Sequence, residues 1–286
     1  MKPASCNLCQ SDRTSLLFTK ESVNIVKCLN CGLIYAHPQP SEEHLDAVYK
    51  EGYFNGSCHS DYLMEKKLYL HRFQQRLKEI NFFKTKGRLL DVGCAVGYFL
   101  ETARQAGWEV SGVEVSDFAA EYARKAGIEV FTGKLEEAEY PDQHFDVVTL
   151  WHVLEHMKDP SGCLQETHRV LNKDGLLAVE VPNMASKKSR KSGKEWDQIK
   201  PKEHLFYFTP DVLRRMVEKT GFRVVKISAL PKGTDIGDKL DQMGLAKVKK
   251  RLIKLFPFTP WIKETLLSLK RMAGEDDIIL LYALKM

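Results

Sequence analysis

Short apolar runs alternate along most of the chain with stretches whose apolar positions recur near the helical period. From Gly87 to about Leu230 the runs are RLLDVG, EVSGVEV, IEVFT, FDVVTLW, GLLAVEV and FRVVKIS, each separated from the next by a helix or turn. That alternation predicts a doubly wound, mostly parallel sheet. DDIILLYALK (276–285) adds a last strand, for seven in all. Upstream, LMEKKLYLHRFQQRLKEINFF repeats its apolar positions at helical spacing, and PQPS (38–41) interrupts regular structure before it. The predicted organisation is a small module over 1–40, a helical connector over 41–85 and a main α/β domain over 86–286. Within the main domain, 231–275 reads as a helical insertion whose stretches AKVKKRLIKLF and WIKETLLSLKRMAG are basic and amphipathic. Such stretches suit packing on the sheet, or contact with a partner or a membrane surface.

The first 37 residues are polar and short of apolar material, so they cannot build a core alone. They carry four of the seven cysteines as C-x2-C-x18-C-x2-C: Cys6, Cys9, Cys28 and Cys31. That spacing lets both thiolates of each pair point at one ion, and four thiolates complete the tetrahedral shell of a structural zinc site. A full shell has no open position for water, which assigns the ion a structural or docking role.

Composition narrows the setting. With 286 residues, 43% of them hydrophobic and 28% charged, the chain fits one sizeable globular domain with an appendage. No run approaches the roughly 18 apolar residues of a membrane span, and the first residues lack a signal peptide's apolar stretch, so the expected location is cytoplasmic. The formal charge of +5 is small, and much of the basic excess sits in KKSRKSGK and KVKKRLIK.

The chemistry gathers at the strand ends. RLLDVGCAVGYFLETARQAG reads as a buried strand, a glycine turn and a helix whose N-terminus faces the turn. The next strand ends on Glu114, an acidic side chain able to accept both hydroxyls of a ribose. DVGCAVG has no glycine two residues after Gly93, where a dinucleotide fingerprint wants one, which argues against a dehydrogenase. Through DVGCAVGYF, VEVS, FTGKLEE, FDVVTLWHVLEHMKDP and DGLLAVEVPN, in that order, the chain resembles the class I S-adenosylmethionine-dependent methyltransferases, which have a Rossmann-like fold. The resemblance implies S-adenosylmethionine as cofactor. Its methionine part would lie on the loop with Asp91, Gly93, Cys94, Gly97 and Tyr98, its ribose on Glu114 beside Val115, and its adenine near Leu135 and Glu136. Trp151 and His152 would line the floor.

The leader CxxC…CxxCGLIYAHPQPSEEHLDAVYKEGYF is similar to the zinc-binding leader of bacterial sugar C-methyltransferases and their relatives. A Glu-His pair before an aromatic segment in those enzymes implies His204 as general base, with Glu203 as its orienting or proton-shuttling partner, and Tyr53 as a pocket residue. His156 is a further candidate. HVLEH (152–156) also matches the H-x-x-E-H peptidase motif, but it follows a strand inside the ordered methyltransferase set, which argues against proteolysis. His152, Glu155 and His156 can share a helical face there and, with His204, could hold a metal such as zinc. The expected function is methyl transfer to a small-molecule acceptor: a sugar, glycan, lipid or secondary-metabolite intermediate. The alternatives are an RNA methyltransferase that docks nucleic acid through the cysteine module, and a cofactor-binding scaffold without catalysis. The module's few basic residues argue against the RNA reading.

Overall fold

A computed structural model describes residues 5–41, 43–45, 63–230 and 277–286. Three strands come first: β1 (Thr14–Lys20), β2 (Val23–Cys28) and β3 (Ile34–His37). Helix α1 (Lys66–Ile80) precedes the repeating part, β4 (Arg88–Val92), α2 (Tyr98–Gln105), β5 (Glu109–Glu114), α3 (Asp117–Lys125), β6 (Glu129–Thr132) and β7 (Phe145–Trp151). Then follow α4 (Pro160–Val170), β8 (Leu171–Pro182), α5 (Lys187–Ser192), β9 (Phe206–Tyr207), α6 (Pro210–Lys219), β10 (Phe222–Leu230) and β11 (Ile278–Lys285).

All seven strands anticipated for the main domain form one sheet in the order β10-β11-β8-β7-β4-β5-β6. β4 to β8 run parallel, and β11 is antiparallel to both β8 and β10. The apolar runs are continuous because both faces are covered. Along β8, Leu177 and Val179 enter one buried cluster while Leu176 and Ala178 enter the other, and Leu281 and Tyr282 of β11 divide in the same way.

The cysteine module is stitched to the main domain. β1, β2 and β3 form an antiparallel sheet whose fourth strand is β9, from the segment directly behind His204. Leu8, Cys28, Leu33 and Tyr35 share a core cluster with Leu177 and Val179, while Ile25 and Ile34 pack with Trp196, Ile199 and Tyr207. Polar ties reinforce the join: the Asn7 amide donates to Asp159 at 2.7 Å, Lys219 to the Leu8 carbonyl at 2.6 Å and Arg215 to the Cys31 carbonyl at 2.6 Å. A segment too polar to bury itself thus borrows its core from the larger domain.

HVLEH is a turn. The helix that follows it begins only at Pro160, capped by Asp159, whose side chain accepts from Gly162 N–H at 2.9 Å. His152 has a φ of +56°, outside the helical region, so the shared helical face expected of His152, Glu155 and His156 does not form.

Candidate active site

The carboxyl ends of β4, β5, β7 and β8 open into one cavity of about 750 Å³. Brändén-type crevices sit at this edge of a parallel sheet because loops there diverge to either side. Of the residues singled out in the sequence, Asp91, Gly93, Cys94, Glu114, Val115, Leu135, Glu136, Trp151, His152, His156 and His204 line it. Gly97, Tyr98 and Glu203 are absent from the wall. Gly97 caps α2 at φ +81°, and a side chain there would meet Ile128 and Ala123 within 3.0 Å, so this glycine serves helix packing. Tyr98 is buried in the second core cluster. Tyr53 and the 231–275 insertion lie outside the described residues.

One end of the cavity is built on carboxylates. Asp91 is buried and accepts a hydrogen bond from the Thr149 hydroxyl at 2.6 Å. Burial pushes its pKa up to about 8 against the opposing effect of Thr149, with Glu114 adding to the rise. Glu114 is pinned by two backbone N–H groups, Ala95 at 2.8 Å and Ser116 at 2.9 Å. Its pKa is also raised by burial, which outweighs those bonds. Two acids with no cationic partner among the described residues suit a ligand that brings hydroxyls and positive charge. The residues therefore fit a nucleoside with a vicinal diol on Glu114 and a cationic amino-acid part near Asp91.

The other end is built on three histidines in two different states. Both ring nitrogens of His152 face carboxylates, Nδ1 to Glu155 at 3.3 Å and Nε2 to Glu180 at 3.1 Å. Carboxylates only accept, so both nitrogens carry protons. Burial opposes that charge, but the bonds to Glu155 and Glu180 outweigh it and hold the pKa up at about 9. Glu180 in turn accepts from Arg76 Nε at 2.5 Å; burial acts to raise its pKa, yet Arg76 and His152 hold it well below the usual carboxylate range. His156 and His204 are different. Each points Nδ1 at a backbone carbonyl, Glu203 at 3.0 Å for His156 and Gln198 at 2.8 Å for His204. Those carbonyls require protonated Nδ1, which makes Nε2 the lone-pair nitrogen. Burial lowers both pKa values, that of His204 well below its ordinary value, with His156 and Lys200 adding to the effect. The two rings stand edge to face with centroids 4.7 Å apart.

The role expected of Glu203 changes accordingly. Its carboxylate lies 3.5 Å from Lys200 Nζ, and its backbone carbonyl serves His156, while Gln198 orients His204. Arg76 and Glu180 were not singled out in the sequence. The available signal was an acid inside the otherwise apolar run LLAVEV, since a charge in a buried strand needs a partner.

The four cysteines form a second group. Cys6 and Cys31 Sγ are 3.4 Å apart, Cys9 and Cys28 Sγ 3.5 Å, and all four sulfurs lie within 4.8 Å of one another. These separations exceed the roughly 2.05 Å of a disulfide and match four thiolates around one ion with bonds of about 2.3 Å. Turns bonded from Gln10 N–H to the Cys6 carbonyl and from Gly32 N–H to the Cys28 carbonyl aim the sulfurs inward.

Comparison with known proteins agrees with this geometry. Residues 64–227 match the family described as a methyltransferase domain. Two probable S-adenosylmethionine-dependent methyltransferases of Mycobacterium tuberculosis, from strains CDC 1551 / Oshkosh and H37Rv, are each 27% identical over 178 residues. The match spans 62% of this chain and 63% of each relative. Among solved structures, a methyltransferase from Thermotoga maritima, described as a possible histamine N-methyltransferase, superposes with a TM-score of 0.54. It is 20% identical, covers 79% of this chain and 95% of its own, and bears on the fold alone.

Proposed function

We propose that this chain, which belongs to the methyltransferase-domain family, transfers a methyl group from S-adenosylmethionine to a small-molecule acceptor. The observation that carries the reading is the pairing, in one cavity, of two buried acids with no cationic partner among the described residues at the strand ends and a lone-pair imidazole at the other end. When bound, S-adenosylmethionine supplies the methyl carbon on a positively charged sulfur. Glu114 would accept from the ribose hydroxyls, and Asp91 would answer the positive amino-acid part through its carboxyl group. The Gly93 turn would bring backbone close to the ligand, Leu135 and Glu136 would border the adenine, and Trp151 would line the floor beneath the sulfonium.

At the opposite end His204 acts as the general base. Its Nδ1 is committed to the Gln198 carbonyl and its ring is neutral near pH 7, so Nε2 can take the proton that an alcohol, amine or carbon acid releases as it attacks the methyl carbon. A carboxylate oxygen of Glu155 lies within 4.8 Å of a ring nitrogen of His204 and stabilises the charged ring once it forms. His152, already protonated and clamped between two acids, is unsuited to be the base and fixes the cavity floor. Cys6, Cys9, Cys28 and Cys31 hold one structural zinc ion. The acceptor class is a sugar, glycan, lipid or related metabolite. Incubating the protein with labelled S-adenosylmethionine and cell extract, then separating sugar, lipid, protein and RNA pools, tests this: label in the small-molecule pool is expected, and label confined to RNA or protein overturns it.

A further inference from the structure

Four charged side chains of alternating sign run from α1 to the turn behind the loop of His204. Arg76 Nε donates to one oxygen of Glu180 at 2.5 Å, the other oxygen meets His152 Nε2 at 3.1 Å, and His152 Nδ1 meets Glu155 Oε1 at 3.3 Å. The backbone of Glu155 carries the connection onward. Its carbonyl accepts from Leu205 N–H at 2.7 Å and Phe206 N–H at 3.1 Å, the two residues directly after His204. Two cations and two anions balance, with Arg76, Glu180 and Glu155 buried.

Apolar packing already seats α1, since Phe73, Leu77 and Ile80 of its inner face share a core cluster with Phe99 and Tyr282. A buried ion pair adds little to that, because apolar side chains of similar volume hold as well or better; in some proteins what it supplies is a unique arrangement. The backbone shows where arrangement matters here. His152, at φ +56°, keeps a conformation that a non-glycine residue holds only where its surroundings over-determine it. Glu180 grips it twice, accepting from its backbone N–H at 2.8 Å through the carbonyl and from its ring through the carboxylate. Glu155 Oε2 has no hydrogen-bond partner, so the bond from His152 to Oε1 anchors that carboxylate, with His156 Nε2 farther off at 3.9 Å. We infer that Arg76 is a positioning residue: by holding Glu180, and through it His152 and Glu155, it sets the place of the loop that carries His204. The consequence for turnover rests on the reading of His204 as base; the positioning itself does not.

The test uses the full chain labelled with 15N-histidine. In the wild-type protein both ring N–H protons of His152 should appear as slowly exchanging signals that vanish in His152→Asn, and absence of either breaks the chain and overturns the proposal before any Arg76 variant is made. Three variants follow: Arg76→Met removes the charge, Arg76→Lys keeps it, and Arg76→Met with Glu180→Leu replaces the ion pair by apolar side chains. The ring signals of His204, assigned by their loss in His204→Ala, should shift or broaden in Arg76→Met and in the double variant and lie near their wild-type positions in Arg76→Lys. Methyl transfer from labelled S-adenosylmethionine into the small-molecule pool of a cell extract, counted per site that binds S-adenosylhomocysteine, should fall at least about tenfold in Arg76→Met, since a displacement of about an ångström can cost on the order of 100-fold. It should stay low in the double variant while melting temperature recovers, because an apolar pair is tolerated where half of a buried ion pair is not. A merely structural Arg76 predicts that transfer recovers together with melting temperature. That result, or unmoved His204 signals in a folded variant without the charge, overturns the positioning role. Moved His204 signals with unchanged methyl transfer support the positioning and defeat the base reading alone.

Discussion

The two ends of the cavity are assembled in different ways. At the carboxylate end, Asp91 and Glu114 terminate adjacent parallel strands and are held by local backbone: Gly93 N–H donates to the Val113 carbonyl at 2.7 Å, and Ala95 N–H to the Glu114 side chain. At the histidine end, His156 and His204 lie 48 residues apart on a turn and a loop. They are joined because Leu205 and Phe206 N–H both donate to the Glu155 carbonyl, while Ala36 N–H donates to the Leu205 carbonyl. The cysteine module is thus hydrogen-bonded to the loop that carries His204, whereas the two acids are held by backbone of the sheet edge itself. On the proposed reading, cofactor recognition would belong to the sheet edge and acceptor chemistry to the stitching together of distant segments.

The largest expected effect separates the two ends. General-base assistance contributes roughly 100- to 10,000-fold, so His204→Ala should lower turnover by that order while S-adenosylhomocysteine affinity, measured by calorimetry, stays within about twofold. A folded variant that keeps more than about a third of wild-type turnover would show that His204 is not the base. Next comes Cys28→Ser. It should leave less than about half an equivalent of zinc and loosen the pairing of β3 with β9 behind His204. Displacing a reacting group by about an ångström can cost on the order of 100-fold, so turnover should fall by about that much with cofactor affinity again nearly unchanged. Equal losses at both ends would erase the distinction. Glu114→Ala should do the converse, weakening S-adenosylhomocysteine binding by about 1.5 to 3 kcal/mol, the range for a hydrogen bond to a charged group. Unchanged affinity in calorimetry would remove Glu114 from the cofactor site.

The same contrast explains what the sequence made legible. Asp91 and Glu114 could be found because each ends an apolar run, and strand ends of a doubly wound sheet are where such residues meet. The sheet itself followed from the apolar runs, and the cysteine cluster from its spacing. The turn at 152–156 was misread as helical because i, i+3 and i+4 spacing occurs without a helix, and only the φ of His152 and the cap at Asp159 reveal it. Glu203 was expected beside His204 because it is adjacent in sequence, while the group bonded to His204 Nδ1 is the Gln198 carbonyl, six residues back. The Arg76–Glu180–His152 chain joins α1, β8 and the turn after β7, and no local pattern encodes a contact across 104 residues.

The smallest effect probes the carboxylate end without any ligand. An unfolded aspartate loses its proton near pH 3.9, but buried Asp91 keeps its own up to about pH 8. Between those values the folded protein holds a proton that the unfolded chain has lost. The stability this group contributes is complete below about pH 4 and is lost as pH rises toward 8. Asp91→Asn removes that titration and keeps an acceptor for the Thr149 hydroxyl. The ligand-free variant should therefore lose less melting temperature than wild type between pH 5 and pH 8, ending higher by on the order of 5 °C. Glu114, whose pKa is also raised by burial, acts in the same direction, so the variant's slope should be reduced and not abolished. Cofactor affinity should move the opposite way, since asparagine cannot answer a positive amino-acid part with a negative charge. Scanning calorimetry across this range decides it: a variant that loses stability with pH as steeply as wild type would mean that Asp91 is ionised in the folded protein, and that the carboxylate end is already satisfied before any cofactor arrives.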